Sequence, residues 1–334
     1  MLRSAVKILI PIALIWAGWW YVATSGMQSS LTAWFDARRA EGWQSQTGEM
    51  TRAGFPLRIA TVISDVTLDD PETQAALHLP QITLSTPIYW PGHATLRLDD
   101  APVLLSTPQA ELAFASKDAV AALRLHPSPA LQLETLHGSS RDMIVQLDAA
   151  DLLLIDTFRA DVQQTADVQT YDIDLNAAGF APGVLIRDAL RLPQSWPERF
   201  DSLVADMTVS FDRPWDRSAL EDSRPQPTAF KVDRIEAVWA DLNISLNADL
   251  QIAAGGIASG TMRLKAKNWQ QMLDLASASG ALSTQIRPQI ESGLTLLSGL
   301  SGNRESLDVE ITIDQGRMRM GFIPLGTAPR LIIR

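Results

Sequence analysis

The side chains best suited to acid–base or metal chemistry are the four histidines, His78, His93, His126 and His137. None lies in an HExxH or HxH spacing that would aim two imidazoles at one ion. All four stand in strand-like or turn-like contexts, so half-buried or surface histidines are expected. Asp69-Asp70 and Asp99-Asp100 could attract a cation. A calcium loop, however, offers oxygens at alternating positions, and these are isolated pairs ahead of turns, so solvated turns are expected. Gly138-Ser139-Ser140 lacks the GxSxG spacing of a nucleophile elbow and is expected in a hairpin turn before Arg141. The stretch Gly255-Gly256-Ile257-Ala258-Ser259-Gly260 has no phosphate-binding lysine and lies between strands, which predicts a tight turn or bulge. Cleavage of an envelope glycan ranks third among the functional readings, and it would need two carboxylates about 5 to 9.5 Å apart in one cleft. No catalytic, metal-binding or cofactor-binding residues are expected, and the chain reads as a non-enzyme.

Composition narrows the classes further. The absence of cysteine removes disulfides, thiolate metal sites and cysteine nucleophiles together. Against 38 acidic residues stand 28 basic ones, giving a formal charge of −10, and the basic residues form no run or stripe. Nucleic-acid binding is therefore not expected. With 46% hydrophobic and 20% charged residues, 334 residues can bury a sizeable core.

What positions the chain is its beginning. Ile8 to Ala23 is uncharged and covers roughly 24 Å at the helical rise, against a hydrocarbon core of about 30 Å. Ile8, Leu9, Ile10, Leu14 and Ile15 supply its apolar body. Trp16, Trp19, Trp20 and Tyr21 crowd its C-terminal end, where amphipathic rings favour the headgroup region. Arg3 and Lys7 precede it, while Arg38 and Arg39 beyond it are balanced by Asp36 and Glu41, so the positive-inside rule places the N-terminus in the cytoplasm. A cleaved signal peptide needs small residues at −3 and −1. Cutting after Ala23 puts Tyr21 at −3, and cutting after Gly26 is served only by Thr24 and Gly26, so a retained anchor is expected over a signal peptide or a buried core helix.

After the anchor, Gln28 to Trp43 has the spacing of a short amphipathic helix, with Leu31, Trp34, Phe35 and Arg38 on one stripe and Gly42 as its stop. It would ride on the membrane or pack on the domain. From Met50 the period changes to two, predicting strands from Leu57 to Ser64, Leu77 to Leu84, Ala94 to Leu98, Pro102 to Ser106, Glu111 to Ala115 and Leu131 to Leu133. Alternation continues through Asp142 to Leu147, Leu152 to Phe158, Arg159 to Gln164, Tyr171 to Asn176 and Ser202 to Phe211. Gly183 to Asp201 interrupts it as broken helix or loop, and Pro214 to Pro227 reads as a surface loop between two halves. Strands are predicted at Phe230 to Val238, Leu242 to Ile252 and Ile257 to Lys265, helices at Asn268 to Ala278 and Gln285 to Leu300, and closing strands at Leu307 to Ile313, Arg317 to Met320 and Leu331 to Ile333.

These elements make a mainly β (α+β) protein, a large curved antiparallel sheet with a few covering helices, preceded by one N-terminal transmembrane helix. The expected divisions are 1–27 for the cytoplasmic stub and anchor, 28–48 for a juxtamembrane helix, 49–213 and 229–334 for two sheet halves, and 214–228 for the loop. Gly54-Phe55-Pro56-Leu57-Arg58, the Tyr89-Trp90 turn and Gly321-Phe322-Ile323-Pro324-Leu325-Gly326 carry a resemblance to the membrane-anchored bacterial domain-of-unknown-function family 2125, mainly alphaproteobacterial, over almost the whole chain. That family has no assigned activity, so the resemblance brings no functional residues. More loosely, the architecture is similar to the AsmA-like envelope proteins, which implies a sheet serving as a lipid-carrying groove.

The leading expectation is thus a single-pass inner-membrane protein with its bulk in the periplasm, binding phospholipid or another acyl-chain ligand on an apolar sheet face, without a cofactor. The alternative is a scaffold that binds other envelope proteins through its sheet edges. Trp34, Phe35, Tyr89 and Trp90 are the aromatics placed to meet membrane or ligand.

Overall fold

Period-two alternation forms antiparallel strands throughout the chain beyond Gly42. A computed structural model describes residues 2–333 apart from 91, 193, 195, 222, 279, 281, 284, 286, 301–305 and 322. Two compact units emerge, Met1–Leu125 with Val145–Ala149, and His126–Ile144 with Ala150–Arg334.

The first unit opens with helix α1 (Leu2–Ala40) and continues through β1 (Gln44–Gln46), β2 (Met50–Ala53), β3 (Arg58–Asp70), β4 (Ala75–Pro87), β5 (His93–Leu98), β6 (Val103–Ser106) and β7 (Glu111–Leu125). Strand β3 pairs with β1, β2 and β4, and β4 passes the sheet on to β5 and β6, which both pair with β7. The anchor and the amphipathic helix expected as separate elements are one continuous helix. Thr24, Ser25, Ser30 and Thr32 would ordinarily favour a break, but each hydroxyl donates to a carbonyl four residues back, at 2.8, 2.7, 3.0 and 3.0 Å. The polar stretch is therefore satisfied inside the helix. Gly42 ends it as predicted: at φ +97° it lets Trp43 N–H reach Arg38 O and its own N–H reach Arg39 O, both at 3.1 Å, the paired bonds of a Schellman cap.

Strand β8 (Leu133–Leu147) leads through a hairpin turn at Asp148-Ala149 into β9 (Ala150–Gln164). The second unit continues with β10 (Thr170–Ala178), β11 (Ala181–Pro182), α2 (Val184–Ala189), β12 (Ser202–Phe211), α3 (Ser218–Glu221), β13 (Pro227–Trp239), β14 (Leu242–Ala253) and β15 (Ile257–Lys267). Helices α4 (Trp269–Ala278) and α5 (Arg287–Leu300) precede β16 (Ser306–Asp314), β17 (Arg317–Met320) and β18 (Ile323–Thr327). Strands β9, β10 and β12 through β18 pair antiparallel in that order, with β11 also on β9.

Several boundaries differ from those read in the sequence. Strands β3 and β7 run on past their predicted ends, with Asp65 and Asp118 each taking a single positive φ before the strand resumes, and β8 joins the strands predicted at Leu131 to Leu133 and Asp142 to Leu147, with Asp142 likewise at positive φ. Aspartate tolerates that conformation. Gly138-Ser139-Ser140 accordingly lies inside β8 and not in a turn. The loop at 214–228 joins β12 to β13, which pair with each other, so it is a hairpin connection within the second unit and carries α3. Leu331 to Ile333 is not a strand. Pro329 interrupts any ladder there, and Leu331 N–H donates instead to Gly256 O at 2.9 Å while Gln226 clasps the Ile333 backbone at 2.8 and 3.1 Å.

Register turns the alternation of the second unit into two chemically opposite faces. Ala160, Leu175, Ala205, Ile235, Leu246, Leu264 and Val309 are cross-strand neighbours from β9 to β16. Val162, Ile173, Met207, Val232, Ala248, Met262 and Ile311 form the next row on the same face. Between them, on the other face, run Asp161, Asp174, Asp206 and Arg234. A bulge at Asp233 keeps the two rows in phase. One end of the apolar face is covered by α4, where Trp269 and Leu273 pack on Ala266, Leu307 and Val309. At another, Ala328 and Leu331 lie on Ile252, Ala258 and Ile313.

Trp269 is 1% exposed. Trp269→Ala should cost about 3–5 kcal/mol through the cavity it opens, whereas Val168→Ala in an exposed turn should stay within about 0.5 kcal/mol. Denaturant melts of the two variants beside the parent check this.

Candidate functional site

Helix α1 carries the anchor residues, and its relation to the first sheet defines the more detailed of two candidate sites. Among the described residues it is the one helix long and apolar enough to cross a membrane. Leu9, Ile10, Leu14, Ile15, Trp16, Trp19 and Tyr21 are exposed and Trp20 is half-buried, while the side chain of Ile8 lies outside the described residues. Trp16 Nε1 donates to Pro56 O at 2.8 Å and Trp20 Nε1 to Arg58 O at 2.7 Å. The Trp20 ring meets Phe55 edge-on at 5.4 Å. Higher up the helix, Gln28 Nε2 donates to Met50 O at 2.8 Å and its Oε1 accepts from Arg52 Nε at 2.8 Å, while the Arg52 guanidinium stands 4.6 Å above the Tyr21 ring. Two of the aromatics expected at the headgroup level are thus also the clamps that hold α1 to the β2–β3 hairpin.

The other four aromatics do not converge. Phe35 is buried against Ile63 and Val66, with Leu31 and Met50 around it, so it is core and not a lipid or ligand contact. The helical phase that exposes Trp34 turns its neighbour inward. Trp34 is exposed beneath the Arg38 guanidinium at 5.7 Å. Tyr89 is 77% exposed in the β4–β5 turn, and Trp90 is half-buried with its ring 5.8 Å from that of His93. Pro91 and Phe322 lie outside the described residues.

The second candidate site is the apolar face of β9 to β16. Leu175, Ile235, Leu246 and Leu264 in one row, and Ile173, Met207, Ala248 and Met262 in the next, are half-buried and no charge interrupts either row. One edge is closed by aromatics the sequence did not single out. Phe200 stacks on Trp239 at 4.4 Å, Trp196 meets the same ring at 4.9 Å, and Trp239 Nε1 donates to Pro197 O at 3.0 Å, fixing the predicted irregular segment after α2. The signal was the conjunction of Trp196 and Phe200 with two prolines, which reads as a break until its partner strand is known.

The opposite face concentrates charge. Asp174 stands in register between Asp161 and Asp206. Its carboxyl is held above the ordinary aspartate range by desolvation first, then by the charges of Asp206, Asp161 and Asp172 and a hydrogen bond with Asp206. Its neighbours have partners of their own: Arg234 Nε donates to Asp206 at 2.9 Å and His137 contacts Asp161. His126 sits 2.7 Å from Gln164 Oε1. The Asp70 carboxylate is held below its ordinary range by Thr73, through its hydroxyl, and by the Glu72 N–H, which makes it the turn cap expected of an acidic pair ahead of a turn. Among the described residues no group of three or more histidine, cysteine or acidic side chains could hold a metal.

A family model described as an uncharacterised protein conserved in bacteria (DUF2125) matches residues 20–329. No curated protein matches the chain.

Because Asp174 holds its proton more readily folded than unfolded, stability falls as pH rises from the ordinary carboxylate range through its raised value. Asp174→Asn removes that loss. The variant should melt higher than the parent near pH 7, by less than about 1 kcal/mol since the side chain is largely exposed, and equally near pH 3. Thermal melts across that range measure the crossover.

Proposed function

The chain belongs to the bacterial DUF2125 family of uncharacterised proteins, and from that premise we propose that it is a membrane-anchored, non-enzymatic envelope protein that shelters acyl chains on the apolar face of its second unit. The carrying observation is the pair of uncharged cross-strand rows, most of whose side chains from β9 to β15 are only partly buried, between a covered end at α4 and a covered end at the C-terminal segment. A face of that composition left half-open to water is what a hydrocarbon ligand would complete, at roughly 25 cal/mol for each Å² it removes from solvent. Helix α1 is the anchor in this reading, crossing the inner membrane once with its N-terminus in the cytoplasm and the sheet in the periplasm, as the basic residues before it suggest. Phospholipid is the ligand class that a protein so placed meets in excess.

The second reading is a scaffold for envelope proteins, bound through sheet edges. It is favoured by the cover already present, since Trp269, Leu273 and Leu282 bury part of the same face from within the chain. The two readings divide on a direct measurement. Native mass spectrometry of the full chain in detergent should find retained phospholipid, and Leu246→Asn with Leu264→Asn should release it. The anchor is identical in both samples, so its own lipid cancels. Equal lipid in parent and double variant would exclude the sheltering face.

A further inference from the structure

The β2–β3 hairpin runs back along α1 and not away from it. Gln28 bonds Met50 at the open end of β2, and Trp16 bonds Pro56 at the tip. The twelve helical steps from Trp16 to Gln28 rise about 18 Å, and the six extended steps from Met50 through β2 to Pro56 in the turn span up to about 20 Å, so helix and strand lie alongside with opposite direction. The tip, Gly54 to Leu57, therefore points toward the N-terminus of α1 and stops level with Trp16, inside the apolar stretch from Ile8 to Ala23. Seven residues separate Trp16 from Ala23, or about 10 Å along the helix.

The tip is built for an apolar medium. Phe55 and Leu57 are 54% and 63% exposed although both are large and hydrophobic. Ile88 N–H donates to Leu57 O at 3.0 Å, which brings the exposed Tyr89 beside them. Backbone carbonyls at and beside the tip are answered from within the protein, Leu57 O by Ile88 N–H among them. Gly54 O accepts from Arg58 N–H at 2.8 Å, Pro56 O from the Trp16 indole and Arg58 O from the Trp20 indole, and Pro56 has no N–H to satisfy. Carbonyls answered in this way lower the cost of placing a strand turn at the edge of a hydrocarbon layer. Gly54 holds the shape: at φ +89° a Cβ there would fall 2.7 Å from Arg58 O. The Arg58 guanidinium is drawn back to Ser85 and Thr95, at 2.9 and 3.3 Å, away from the tip residues.

We propose that the Gly54–Leu57 tip, with Tyr89, is a second membrane contact, inserted into the headgroup and acyl boundary of a phospholipid bilayer beside α1. The inference rests on α1 being the membrane anchor. Two contacts fix what one helix leaves free, the rotation and tilt of the first unit about α1, and indole donors that bridge helix to tip make the pair rigid.

The chain has no cysteine, so single thiols can be placed without background. Leu14→Cys, Phe55→Cys, Leu57→Cys and Glu72→Cys, each in the full chain reconstituted in phosphatidylcholine–phosphatidylglycerol vesicles, would carry an environment-sensitive fluorophore read with and without doxyl-labelled lipid. Glu72 lies at the far end of β3, in an exposed turn. Labels at 14, 55 and 57 should be blue-shifted and lose most of their emission to the quencher, and the label at 72 should lose little. Quenching at 14 with water-like, unquenched emission at both 55 and 57 overturns the tip contact and leaves the anchor standing. Water-like emission at 14 as well overturns the anchor and the tip contact together.

Discussion

Cross-strand register is the constraint on which the rest of the second unit depends. Side chains alternate with a period of two, so a slip of one residue in any strand from β9 to β16 would carry a charged row onto the apolar face. Two devices hold the register. The hairpin turn at Gly255-Gly256 fixes β14 against β15 through paired positive φ values. The bulge at Asp233 absorbs one extra residue, so that Asp206 still faces Arg234 and Met207 still faces Val232. The acidic row adds a cost of its own, since Asp174 stands between Asp161 and Asp206, and of that pair Asp206 is bridged by Arg234. The same register that lines up the apolar rows makes that crowding unavoidable.

In the first unit the organising interaction is different. A long apolar helix has no reason to choose an orientation relative to a sheet unless specific bonds impose one, and here indole and amide donors do so along β2 and its tip. Phe35 and Leu31 then seal the helix against Ile63 and Val66 farther along. The segment that would insert in a membrane and the segment that packs on the domain are therefore one rod, without a hinge between them.

Much of this was legible in the sequence because local chemistry determined it. Alternation in Leu242 to Ile252 and Ile257 to Lys265, the glycine pair between them, the helical spacing of Leu273 with Trp269, and the stop at Gly42 all act within a few residues. Features that depend on distant partners were not legible. Trp34 and Phe35 are equivalent as neighbours in a string, and only the position of β3 decides that Phe35 is core. Asp161, Asp174 and Asp206 are far apart along the chain and become one row only through pairing. Asp65 and Asp118 resemble turn residues, yet the strand continues through them at a single positive φ. The anchor and the segment from Gln28 read as separate elements because the bonds that carry the helix through its polar stretch, such as those of Thr24 and Ser25 to the preceding turn, are not visible in the sequence.

The central claim, that the apolar rows of the second unit stand half-open for a hydrocarbon ligand, can be read from two native methionines on that face, Met207 and Met262. Mass spectrometry after brief peroxide treatment of delipidated protein should find both converted to sulfoxide, and added phospholipid should protect them. Methionines that resist oxidation in the delipidated chain, or that oxidise equally with lipid present, would contradict the account.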